Sequence, residues 1–237
     1  MKFQILYVYL ASLVLSTKVA AVHTVNETNW AGSVNFDKNA NWKQVSGTIV
    51  VPTPHAPAGA TANSSAWVWV GIDGASCPQS ILQTGIGMDV KNNVASYSVW
   101  YEWAPTPASY WPSSQISVKG GDTVYMSVVA TSSTSGTTTV INRTTNQTAT
   151  HTFSNQSPAL RGCDASWIVE DPKVSGVMPP LANFTTVTFT GAESVAGNGS
   201  TYGPAGNPAE SIAFIWQNGK TLTSCSATTN SATCTYI

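Results

Sequence analysis

The chain has 237 residues, with 10 Lys and Arg against 11 Asp and Glu, for a formal net charge of −1. Charged residues make up 9% of it, far below the usual level of about a quarter, and no basic cluster occurs, which argues against a nucleic-acid partner. The 42% hydrophobic content and nine Trp argue against disorder, and a surface built from Ser, Thr, Asn and Gly gathers little self-repulsion on acidification.

The first 21 residues read as a signal peptide, with Lys2 as its positive end, an apolar run from Phe3 to Leu15, and small residues Val19-Ala20-Ala21 at a cleavage site. Ser12, Ser16, Thr17 and Lys18 leave that run short of the ~20 apolar residues a membrane anchor needs. No later stretch is long enough to cross a bilayer. Secretion is therefore expected, with residues 22–237 as a single domain carrying 8 basic and 11 acidic residues. Seven Asn-x-Ser/Thr sequons follow, at Asn26, Asn63, Asn142, Asn146, Asn155, Asn183 and Asn198.

Helical periodicity is almost absent. Short runs rich in Val, Ile, Thr and aromatic residues predict strands over Trp30–Phe36, Ser46–Val51, Ala66–Ile72, Ser80–Ile86, Ala95–Trp103, Gln115–Val118, Thr123–Ala130, Thr137–Asn142, Thr148–Phe153, Trp167–Glu170, Thr185–Thr190, Ser211–Trp216 and Cys234–Ile237. Gly120-Gly121-Asp122 and Asn218-Gly219-Lys220 read as hairpin turns. Asn155–Arg161 reads as a loop or a short helical turn. Many short strands joined by such turns imply an all-β sandwich or barrel.

Four Cys in a secreted chain imply two disulfides, with three pairings open. Cys225 and Cys234 flank a polar Thr/Asn/Ser stretch, as a hairpin staple would, which leaves Cys77 for Cys163. No metal site or cofactor is expected: no CxxC or HxxxH spacing occurs, and His23, His55 and His151 are scattered.

Alternation along the predicted strands assigns faces. Trp100 and Glu102 share one face of their strand, Trp67 and Trp69 share a face of theirs, and Ser166, Ile168 and Glu170 point together. A polar group facing inward on a strand is costly unless paired or used, which singles out Gln83 and Glu170. Each residue alone has a blander reading: a strand Gln or Glu usually faces solvent, and Trp pairs in β proteins are usually core.

Several segments together resemble the glutamic peptidases (eqolisins), of the scytalidoglutamic type. They are Trp69-Val70-Gly71-Ile72-Asp73-Gly74, Ser80-Ile81-Leu82-Gln83-Thr84-Gly85 and Ser166-Trp167-Ile168-Val169-Glu170-Asp171-Pro172. Asn29-Trp30-Ala31-Gly32, Ser46–Pro54, Trp100-Tyr101-Glu102-Trp103 and the closing strands extend the likeness from Asn29 to Ile237. The resemblance implies a concanavalin-like sandwich of two bent antiparallel sheets, with the active site on a concave face. It implies an endopeptidase working in acid on protein or peptide substrates, as a monomer and without a cofactor. Gln83 and Glu170 take the catalytic positions; Trp69, Asp73, Trp100 and Glu102 take groove-lining ones. Glu170 would act as general base toward water and Gln83 as donor to the oxyanion.

The chain departs from the family pattern at Ser166, where a Glu is common, and at Gly87, where an acidic residue usually stands; Asp89 follows two positions later. Asn29 also comes soon after the signal, which leaves little room for the family's long propeptide.

Two other functions compete. A glycoside hydrolase could use Glu102 and Glu170 as an acid–base pair with Trp stacking on sugars. A secreted lectin or adhesin would use the same fold without chemistry. No Gly-x-Ser-x-Gly motif supports a serine hydrolase, and no paired Asp-Thr/Ser-Gly motifs support a pepsin-type enzyme.

Overall fold

The coordinates are a computed structural model that describes residues 23–60, 63–173, 176–205 and 210–237. The segment read as a signal peptide lies outside the described residues. The strands are β1 (His23–Glu27), β2 (Trp30–Phe36), β3 (Gln44–Val50), β4 (Ser64–Ile72), β5 (Ile81–Lys91), β6 (Val94–Ala104), β7 (Ser109–Tyr110), β8 (Thr123–Ala130) and β9 (Gly136–Asn142). They continue with β10 (Gln147–Phe153), β11 (Asp164–Glu170), β12 (Thr186–Val195), β13 (Thr201–Tyr202), β14 (Glu210–Gln217), β15 (Lys220–Thr221), β16 (Thr223–Ala227) and β17 (Ser231–Tyr236). No helix occurs among the described residues.

The strands form two sheets. One runs β1-β14-β2-β11-β4-β5-β6-β7 with β15 on β14; the other runs β10-β9-β8-β3-β12-β17-β16 with β13 on β12. Pairing is antiparallel except between β1 and β14. This is the all-β, two-sheet sandwich that the resemblance implies; the strand pattern alone left a barrel open.

Alternation sorts each strand into a face between the sheets and a face away from them. From the first sheet, Ala66, Val68, Val70 and Ile72 of β4, Leu82, Ile86 and Met88 of β5, and Ala165, Trp167 and Val169 of β11 enter the core. Val45 and Ile49 of β3, Val124, Met126 and Val128 of β8, and Phe189 of β12 meet them from the second. The Trp167 indole N–H donates to Ser46 O across the core at 2.8 Å, so its one polar atom is satisfied.

The two disulfides are Cys77–Cys163 and Cys225–Cys234. The first spans 86 residues, a closure that stabilises by about 4–5 kcal/mol in the chain-entropy account. Two buried carboxylates brace the loops it joins. Asp73 accepts the backbone N–H groups of Arg161, Gly162 and Cys163 at 2.6–3.1 Å. Asp164 accepts those of Ala75, Ser76 and Cys77 at 2.7–3.3 Å. The brace sits where β4 ends and β11 begins.

Some local expectations fail. Gln115–Val118 is not a strand: the amides of Gln115 and Ile116 turn back onto Pro112 O, at 2.9 and 3.2 Å. Asn155–Arg161 is a loop, one of the two forms expected for it. The strand read over Ser80–Ile86 runs on to Lys91 as β5, because Gly85 and Gly87 interrupt its apolar pattern without breaking its pairing. The sequon residue Asn142 is fully buried. Its amide donates to Ser117 O and Asp122 Oδ2, both at 2.8 Å, and its oxygen accepts from Thr144 N and Thr145 N.

Gly85, on the outer face of β5, has no room for a side chain. A Cβ there would lie 2.2 Å from Val68 O, 2.7 Å from Trp69 Cβ and 2.9 Å from Trp100 Cζ2. The missing side chain is the space the two indoles occupy. Gly85→Ala is therefore expected to destabilise by about 1–3 kcal/mol through overpacking. Urea unfolding checks this; a midpoint equal to the parent's would contradict it.

Candidate active site

Three cross-strand rows pave the outer face of the first sheet. One joins Ser166, Gly71, Gln83 and Glu102; the next joins Ile168, Trp69, Gly85 and Trp100; the third joins Glu170, Trp67, Gly87 and Ser98. The middle row is apolar, and its indoles bury against Val34 and Ile168 with Trp30 and Trp67 packed over them. Trp30 meets Trp69 edge-on at 4.9 Å, and Trp67 lies 4.9 Å from Trp100. The polar rows flank this layer. Above them opens a groove of about 1100 Å³, whose lining includes Gln83, Glu102, Glu170, Trp67, Asp89 and Tyr110.

Glu170 ends β11, where its carboxyl is mostly removed from water but still reaches the groove. Trp69 Nε1 donates to its Oε2 at 2.8 Å, and Asn29 Nδ2 donates to its Oε1 at 3.1 Å. Burial pushes its pKa up to about 7; the Trp69 and Trp30 indoles oppose the rise, while nearby Glu102 and Asp171 add to it. The next residue, Asp171, is fully buried and is raised to about 6 by burial, partly offset by the amide of Gln217 at 2.7 Å.

Gln83 stands directly opposite Glu102, and its Nε2 donates to Glu102 Oε2. Its Oε1 is buried and has no partner. Burial raises the Glu102 carboxyl above the usual range, and the Gln83 hydrogen bond lowers it. The site thus offers one carboxyl oriented by neutral donors, one carboxamide, and a second carboxyl gripping that carboxamide. Such a set can activate water and stabilise an oxyanion.

Of the residues expected to line the groove, Gln83, Glu102 and Glu170 do so. Trp69 and Trp100 do not: both are fully buried beneath the floor, so the expectation that they meet substrate is corrected. Trp69 acts from below through its indole N–H, and the Trp100 indole N–H has no partner. Asp73 is corrected as well. It is fully buried and its carboxylate is spent on the 161–163 loop, so it shapes the frame and does not touch the groove.

The wall also includes Trp67, together with Asn29, Asp89 and Tyr110, which sequence reasoning did not place there. Trp67 had a signal, since it shares a face with Trp69. Asp89 shares the face of Gln83 and Gly87, and accepts a hydrogen bond from Ser65 Oγ at 2.6 Å. Tyr110 lies on the two-residue strand β7, too short to read from pattern.

A model of the peptidase A4 family matches residues 28–236. The chain belongs to this family. It is 38% identical to aspergillopepsin-2 of Aspergillus niger, over 90% of this chain and 80% of the relative. It is 33% identical to scytalidopepsin B of Scytalidium lignicola, over 93% of this chain and 82% of the relative. A crystal structure of scytalido-glutamic peptidase with a transition state analog inhibitor superposes with a TM-score of 0.78 at 31% identity, covering 89% of this chain and 99% of the other. The A4 peptidase is accordingly a glutamic-type endopeptidase, a hydrolase of peptide bonds.

The raised carboxyls set the sign of its stability with pH. Glu170, Asp171, Glu102 and Asp164 all bind protons more tightly in the folded chain than ordinary carboxyls do, chiefly through burial. Their contribution is fully present below the unfolded values, about 4, and is lost as pH rises through the folded values, about 6 to 7 for the two largest shifts. The melting temperature of the A4 peptidase is expected to rise as pH falls from neutrality toward 4.5, and Glu170→Gln should flatten part of that rise. Scanning calorimetry across this range tests the sign, which a parent Tm that is flat or falling on acidification would contradict.

Proposed function

We propose that the A4 peptidase is a secreted, monomeric acid endopeptidase in which Glu170 and Gln83 act on a water molecule and the scissile carbonyl. A peptide carbonyl is a poor electrophile, so the attacking water must give up a proton as it adds. Ionised Glu170 takes that proton and returns it to the leaving amine. The Gln83 carboxamide donates to the oxygen that becomes charged. No metal is needed for these steps.

The observation that carries the reading is the setting of Glu170. Its carboxyl is fixed by an indole N–H and an amide N–H, neither charged, at the floor of the groove that Gln83 also lines. A buried carboxyl held only by neutral donors keeps a raised pKa and is a stronger base when ionised. With its pKa near 7 only a minor fraction of Glu170 is ionised in acid, so Glu170 governs the ascending limb of the rate profile and the rate in acid draws on that fraction.

The deciding experiment is protein digestion in acid by two near-isosteric variants. Glu170→Gln should cost at least about 100-fold in kcat, and Gln83→Glu about 100- to 1000-fold. Circular dichroism should show both folded. Either variant, folded and within a fewfold of the parent, ends the proposal. Activity of the parent should survive a strong chelator; loss restored by a divalent ion would point to a different mechanism.

Trp69→Phe keeps the ring but removes one hydrogen bond to the Glu170 anion. Hydrogen bonds to charged groups contribute about 1.5–3 kcal/mol, and one pKa unit is about 1.4 kcal/mol. The ascending limb of kcat/KM against pH should therefore move up by about one unit. An unmoved limb would mean that the indole does not hold the ionised form.

A further inference from the structure

β14 lies between β1 and β2, parallel to the first and antiparallel to the second. Thr28 and Asn29 alone must therefore carry the chain across the end of β14. The register between β14 and β2 runs from Glu210 and Asn35 to Ala213 and Gly32, and stops short of this crossing. The two carbonyls of the crossing are taken in other ways. Asp171 N–H donates to Asn29 O at 2.8 Å, one step past the end of β11. Gln217, the last residue of β14, donates from Nε2 to Thr28 O at 2.9 Å. The same nitrogen donates to Asp171 Oδ2 at 2.7 Å.

We propose that Gln217 is a positioning residue that staples the Thr28–Asn29 crossing to Asp171 and thereby holds the Asn29 amide on Glu170. The inference rests on the role given to Glu170 above. A side-chain amide nitrogen carries two N–H groups, and here each has an oxygen to receive it. One oxygen belongs to the residue before Asn29, the other to the residue after Glu170. Met178 Sδ, at 3.3 Å, is a weak third acceptor. With the crossing fixed on both sides, Asn29 Nδ2 meets Glu170 Oε1 at 3.1 Å, while the Trp69 indole holds Oε2 from beneath. Gln217 is not part of the groove lining, so its action on the base runs through Asn29.

Local structure places Gln217 for this task. It pairs with Lys220 across the Asn218-Gly219 turn, whose two residues have φ of 50° and 76°. Positive φ at both positions belongs to a tight hairpin turn, which fixes the end of β14 at the crossing. The staple also survives acid. Asp171 is fully buried, and burial raises its pKa to about 6 against the opposing hydrogen bond from Gln217. Below that value Asp171 is neutral, and a neutral carboxyl still accepts through its carbonyl oxygen.

The test is Gln217→Met in the full chain, which keeps the length of the side chain and removes both N–H groups. Asn29 then loses its hold on Glu170, and the ionised form of Glu170 loses a donor. The ascending limb of kcat/KM against pH should move up by about one unit, with KM within about twofold of the parent. The titration of the Glu170 carboxyl carbon, followed by NMR, should move up equally and reads the contact without catalysis. In an Asn29→Ala background, Gln217→Met should move neither quantity further, because the path is already cut. A folded Gln217→Met whose limb and titration superimpose on the parent's overturns the inference. A shift in the Asn29→Ala background as large as that in the parent also overturns it, since Gln217 would then act by another route. If Gln217→Met does not fold, because buried Asp171 has lost its donor, Asp171→Asn supplies a neutral group there. Gln217→Met combined with Asp171→Asn is then compared with Asp171→Asn alone, with the same shift expected and the same null result overturning the inference. Glu170→Gln and Trp69→Phe run alongside keep the two ideas apart. If Glu170→Gln is active, the catalytic role of Glu170 falls, and the NMR titration still decides the role of Gln217. If Glu170→Gln is dead and Trp69→Phe moves the limb while Gln217→Met does not, only the role of Gln217 falls.

Discussion

The hydrogen bond from the Trp69 indole to Glu170 ties the chemistry of the groove to the packing beneath it. For that indole to lie under the floor, the strand beside it must carry no side chain at Gly85. For β4 and β11 to stay in register, the loop where one ends must stay locked to the loop where the other begins. Asp73, Asp164 and the Cys77–Cys163 disulfide do this together. Each part is a response to one constraint: a carboxyl must be held still and largely dry, by donors that do not neutralise it.

That constraint also explains the electrostatic character of the molecule. A carboxyl paired with Arg or Lys is pulled below its ordinary pKa and loses its partner in acid. Here the shifted carboxyls lean on amide, hydroxyl and indole donors, and burial dominates each of them. Acidification removes charge that the fold had to bury. The stability expected in acid and the raised pKa of the groove carboxyl Glu170 are two results of the same desolvation.

Much of this was legible in the sequence, and the failures share a cause. Period-two alternation gave an all-β sandwich or barrel and the faces of Trp100, Glu102 and Glu170, because a strand's geometry fixes which neighbours point together; the resemblance chose the sandwich. It gave no depth. Trp69 and Trp100 sit on the correct face but under it, since Gly85 lets two indoles sink where ordinary side chains would have lifted them. Asp73 was placed on the groove by the family resemblance alone. Its actual use, capping a loop almost ninety positions away, depends on tertiary contacts that no local pattern encodes. Asn29 and Tyr110 were invisible for the same reason: a single amide before a strand and a two-residue strand have no period to read.

Buried Asn142 carries a consequence for how the chain is made. A sugar tree is attached to a sequon while the polypeptide is still emerging, before β8 and β9 have paired. The side chain that would receive it is, in the finished sandwich, enclosed between Ser117, Asp122 and the turn at Thr144 and Thr145. The two fates exclude each other, so in a glycosylating host this asparagine sets a race between the oligosaccharyltransferase and the closing hairpin, and every molecule in which the sugar wins is lost to the native population.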